Sequence, residues 1–90
     1  MSNKRDLKRT INYICSDLFA ETIAVSLYGN SKNQETIEAI LTSIVVMRSN
    51  YISRVSHIEP GMKSATYFKD LKHKLNEEVN EIIDQISNLE

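Results

Sequence analysis

Tryptophan is absent, and the 90-residue chain holds only one cysteine, one proline and two glycines. A lone cysteine, Cys15, closes no internal disulfide, so packing has to hold the fold and no oxidising compartment is called for. With Gly29, Pro60 and Gly61 as the whole stock of glycine and proline, few places remain to reverse the chain, which points to long helices rather than a sheet. Neither sign of charge dominates. Eleven Lys and Arg stand against twelve Asp and Glu, a net charge of −1, so bulk charge selects no class of partner. No apolar run approaches the roughly 18 residues of a membrane span. The basic start around Lys4 and Arg5 leads into no continuous apolar region, because Asp17 and Glu21 interrupt it; no secretory signal is read there. A cytoplasmic protein with no membrane association is expected.

Chemical signatures are missing as well. There is no nucleophile elbow, phosphate-binding loop, dinucleotide fingerprint or zinc-protease helix motif. The paired Glu-x-x-His motifs of di-iron bundles are absent too, and Asp70-x-x-His73 comes nearest but occurs once. The expectation is a protein that is not an enzyme and needs no cofactor or metal. A helix-turn-helix unit, with its short recognition helix after a tight turn, is not visible either.

What is present is the balance of a globular domain, 41% hydrophobic and 26% charged, at a length that fits one domain over residues 1–90. Two breaks divide it. Gly29-Asn30-Ser31-Lys32-Asn33 reads as a helix end, with Gly29 in a left-handed position, followed by a helix start. Ser31 with Gln34 forms a candidate capping box, and Asn33 is a rival cap. Glu59-Pro60-Gly61 is the second break, after which Ser64 or Thr66 is the candidate cap. Helices are thus predicted over Asn3–Tyr28, Gln34–His57 and Ala65–Leu89, each about 37 Å long at 1.5 Å per residue. Short links between helices of equal length predict an all-α, up-down-up antiparallel three-helix bundle.

Apolar residues recur at helical spacing in all three segments. Leu7, Ile11, Ile14, Leu18 and Val25 share one face of the first, with Cys15 beside them as a small buried hydrophobe. Ile37, Ile40, Leu41, Ile44, Tyr51, Ile52 and Val55 share a face of the second. Phe68, Leu71, Leu75, Val79, Ile82, Ile83, Ile86 and Leu89 form the seam of the third. Two features exceed what a core needs. Phe19, Ile23 and Leu27 make a second stripe on the first helix, and Ala39 and Val46 lie behind the main stripe of the second; together they are a candidate homodimer interface. Arg48 falls within the apolar face between Ile44 and Tyr51. A buried guanidinium needs a partner, and Asp17 is the candidate for a structural ion pair.

Charge is unevenly spread. In an up-down-up bundle residues 1–16 and 46–76 form one end, where ten cations face three acidic residues for a balance of +7; the other end has one cation against nine acids, or −8. Cations at helix starts and anions at a helix end run against the helix dipole. Lys4, Arg5, Lys8, Arg9, Arg54, Lys63, Lys69 and Lys72 are therefore a candidate anion-binding set, with nucleic acid, an acidic protein or a phosphorylated ligand as the possible partner classes.

The segment Ile11-Asn12-Tyr13-Ile14-Cys15-Ser16-Asp17-Leu18-Phe19-Ala20-Glu21 carries a resemblance, as does Ser56-His57-Ile58-Glu59-Pro60-Gly61-Met62-Lys63 leading into Tyr67-Phe68-Lys69-Asp70-Leu71. Together they resemble small helical proteins of Bacteroidales-type bacteria whose function is unknown. The resemblance spans nearly the whole chain and implies a bacterial, intracellular protein, with no catalytic residues to carry over. The leading expectation is a non-catalytic interaction or assembly module that forms a homodimer and has a possible protein partner. The alternative is a binder of an anionic partner through the basic end.

Overall fold

The computed structural model describes residues 4–29, 33–57, 61 and 63–89. Among them every regular element is a helix: α1 over Lys4–Tyr28, α2 over Gln34–Ser56 and α3 over Ser64–Ser87. The ends have local causes. Asn33 caps α2, its side-chain oxygen accepting from the Thr36 N–H at 3.1 Å, which satisfies one of the orphan donors of the first turn. Ser31, the capping-box candidate to which Asn33 is the rival, lies outside the described residues, as do Glu59 and Pro60. Lys63, rather than Ser64 or Thr66, occupies the cap position of α3 and makes no side-chain cap bond.

The two glycines serve for different reasons. Gly61 has φ +83°, a backbone region that side chains disfavour. Gly29 does not take the left-handed position expected of it. Its N–H continues the helical pattern to the Val25 carbonyl at 2.9 Å, and a Cβ there would lie 2.6 Å from that same oxygen. Close approach, not a positive φ, is what requires glycine.

Three contacts fix the topology. Arg48, late in α2, bonds Asn12, early in α1, so these helices are antiparallel. Tyr67 at the start of α3 bonds carbonyls at the end of α2. Leu7 and Ile14 share a cleft with Leu75, and Val25 shares one with Ile86, so α1 and α3 run in the same direction. The result is the up-down-up bundle expected, 48 × 18 × 16 Å.

Its core draws Leu7, Ile11, Cys15 and Leu18 from α1, Ile40, Ile44, Met47, Tyr51 and Val55 from α2, and Leu71, Leu75, Ile82 and Ile86 from α3. Burying each large apolar side chain contributes about 1.5–3 kcal/mol. Three positions depart from the periodicity reading. Met47, not Arg48, fills the turn between Ile44 and Tyr51. Thr22 is fully buried although polar, because its hydroxyl donates to the Leu18 carbonyl at 2.8 Å and leaves a methyl for packing. Ile83 stays 42% exposed, since Ile82 and Ile86 already fill the inner side of α3.

Candidate interaction surface

α3 packs over one side of the α1–α2 pair and leaves the opposite side open. Phe19 and Ile23 are each 37% exposed there and Leu27 is 67% exposed. Their i, i+4, i+8 spacing places them in one line along α1. Phe19 and Val45, across from it on α2, line a groove with Cys15, Ser16, Ala20, Ile44 and Arg48. At about 250 Å³ the groove falls short of the roughly 300–1,000 Å³ of a small-molecule site.

Arg48 closes one end of this groove. Its Nε donates to Asn12 Oδ1 at 2.6 Å, and this replaces the expected pair with Asp17. The reason is register. Arg48 stands level with Asn12, five residues and about 7.5 Å short of Asp17 along α1. Arg48 is exposed rather than buried, so the desolvation that would have demanded a carboxylate does not arise. Burial raises the Cys15 thiol above its ordinary pKa, and the nearby Arg48 charge partly opposes the rise; the thiol is a packing group here.

Val46 and Ala39 are exposed as well, but they lie elsewhere. Val46 is about 100° round the helix from Val45, and Ala39, seven residues earlier, shares Val46's line. The α2 side chain that joins the Phe19 stripe is therefore Val45. A signal for it was present in the sequence: Leu41, Val45 and Ile52 fall on one line at helical spacing, flanking the core stripe.

At the basic end, Lys4, Arg5, Arg9, Arg54, Lys63, Lys69 and Lys72 are exposed and Lys8 is half-buried. They do not form one cluster of equivalent charges. Arg54 lies over the Tyr51 ring, 5.0 Å from its centroid, a cation–π contact. Lys72, like Asp6, already has a partner. Lys74 pairs with Asp70 at 3.2 Å. Lys4, Arg5, Lys8, Arg9, Lys63 and Lys69 form no ion pair with a described residue.

Tyr51 ties this end to α3. Burial, and then the Glu78 carboxylate that accepts its hydroxyl, pushes its pKa up to about 12. His73 meets Glu77 at 2.9 Å while Asp70 meets Lys74, so Asp70 and His73 turn to separate partners. Among the described residues no three of His, Cys, Asp and Glu gather as metal ligands, and no helix is long and apolar enough to cross a membrane. The chain matches no known protein family, no curated protein and no solved structure.

Proposed function

We propose that this chain is a non-catalytic interaction module that assembles into a homodimer through the open α1–α2 face. The observation that carries this reading is the apolar line Phe19, Ile23 and Leu27, exposed alongside Val45 on a face that α3 does not cover. Apolar groups gathered on one face of a small domain lose contact with water only when another surface covers them. A face bounded by 48 × 18 Å is also large enough for the roughly 800 Å² per partner of a standard interface. The buried titratable groups, Cys15 and Tyr51, both have raised pKa values; they favour the neutral form and serve packing rather than proton transfer. The resemblance to helical proteins of Bacteroidales-type bacteria supports a bacterial cytoplasmic setting.

Light scattering on a size-exclusion column tests the reading. Wild type should weigh twice the 10.3 kDa chain. Ile23→Glu with Leu27→Glu should give a folded species of one chain mass. A wild type that elutes at one chain mass at every concentration rejects the homodimer.

A second reading has its own observation, the six cations of the basic end that meet no described carboxylate. Such charges suit an anionic partner, nucleic acid among them, and binding of that kind weakens steeply with salt. Labelled single- and double-stranded oligonucleotides titrated at low and physiological salt should bind wild type and lose affinity to Arg5→Glu/Arg9→Glu/Lys69→Glu. Absence of salt-sensitive binding by wild type excludes nucleic acid, and unchanged binding by the triple variant excludes this end as the site.

A further inference from the structure

We infer that the occupant of the α1–α2 face is a second copy of this chain lying antiparallel, with Arg48 of each protomer meeting Glu38 of the partner subunit. This rests on the homodimer reading above and adds its orientation and register. The pattern is on α2. Glu38, Leu41, Val45, Arg48 and Ile52 are spaced 3, 4, 3 and 4 residues apart, the repeat of a seam between two helices. Val45 and Arg48 place this seam on the open face, since both line the groove with Phe19. Glu38 is exposed and Leu41 and Ile52 are half-buried, as expected of a line beside the core stripe.

The seam is self-complementary in one direction only. Arg48 and Glu38 lie five residues either side of Ser43, and Val45 and Leu41 lie two either side. A two-fold axis crossing α2 at Ser43 therefore sets Arg48 against the partner's Glu38 and Val45 against the partner's Leu41, each contact made twice. Counting from the Arg48–Asn12 bond, Ser43 is level with Asp17, so the two Phe19 rings flank the same axis. In a parallel pair every seam residue would meet its own copy, Arg48 on Arg48 and Glu38 on Glu38, which is repulsive.

Arg48 is prepared for this contact. Asn12 holds the guanidinium through Nε, and its terminal nitrogens have no acceptor among the described residues. The whole-molecule charge agrees. The ends carry +7 and −8 by sequence on a body 48 Å long, and with a screening length of about 8 Å each end responds only to what lies beside it. Antiparallel pairing sets opposite signs side by side, and parallel pairing sets like signs together.

A charge swap tests the pairing by sedimentation. Arg48→Glu and Glu38→Arg should each raise the dimer Kd by roughly tenfold or more, because each places like charges together twice. The combined variant should return to within about threefold of wild type. Both positions are exposed, and circular dichroism should show every variant folded. Spin labels on Arg5→Cys, with Cys15→Ala removing the native thiol, report direction independently. They should lie about 36 Å apart in the antiparallel dimer, twice twelve residues at 1.5 Å. Parallel neighbours on packed helices would place them under about 20 Å. A dimer whose swap fails to restore affinity, or whose labels lie close, overturns the antiparallel pairing and leaves assembly through this face standing. Wild type sedimenting as one chain overturns both.

Discussion

At the scale of single residues, Tyr51 ties the core to the surface. The residue is 2% exposed, the Glu78 carboxylate accepts its hydroxyl, and Arg54 lies over its ring. Because its folded pKa, about 12, lies above the ordinary 10, folding favours the neutral phenol. The linked stability is fully present below about pH 10 and is lost as pH rises through about 12. Melting curves from pH 9 to 12 should therefore show wild type losing on the order of 2 kcal/mol more than Tyr51→Phe over that window; equal losses would mean the phenol titrates as if exposed. Tyr51 was legible as core from its spacing, but its partner Glu78 was not, since that contact depends on how α3 docks. Arg48 and Met47 show the limit more sharply. Both fall near the centre of the apolar stripe, and 100° per residue does not decide between neighbours. Chemistry decides: the thioether turns inward at no desolvation cost, and the guanidinium stays at the rim on Asn12.

At the scale of elements, the joints matter more than the helix interiors. The Tyr67 hydroxyl lies 2.9 Å from the Arg54 carbonyl and 3.2 Å from that of His57. Its single proton is shared between these two backbone acceptors at the end of α2, where carbonyls run out of helical donors. The same ring meets Phe68 edge-on at 5.7 Å. Tyr67→Phe keeps the ring and removes the bond, so it should cost about 1 kcal/mol in chemical denaturation and speed amide exchange near His57; no change in either would show that water replaces the hydroxyl at no cost. The sequence announced where these helices stop, since both glycines and Asn33 stood at the breaks. It did not announce why Gly29 is glycine, because the close Val25 carbonyl belongs to the finished helix end. Helix directions were legible from equal lengths and short links. The azimuth of the surplus residues was misjudged: Ala39 and Val46 share one line on α2, but rotation carries that line away from the groove, where Val45 stands instead.

At the scale of the whole molecule, an open apolar face runs beside a lengthwise division of charge. The first supplies a surface that the proposed association would cover, and the second would orient the partner copy. Neither acts alone. Apolar area is non-directional, and exposed charges separated by more than the screening length contribute little until brought side by side. The charge division was legible from composition once the topology was assumed. The surplus stripe of α1 was legible too, but the groove it shares with Val45 was not, because that depends on how α1 and α2 are rotated against each other. The most direct test is sedimentation equilibrium over a wide concentration range on wild type and on Phe19→Glu/Val45→Glu, which alters both walls of the groove. Wild type should approach twice 10.3 kDa with rising concentration, and the variant should remain a folded single chain. A wild type that stays at one chain mass throughout, or a variant that still dimerises, would contradict assembly through this face.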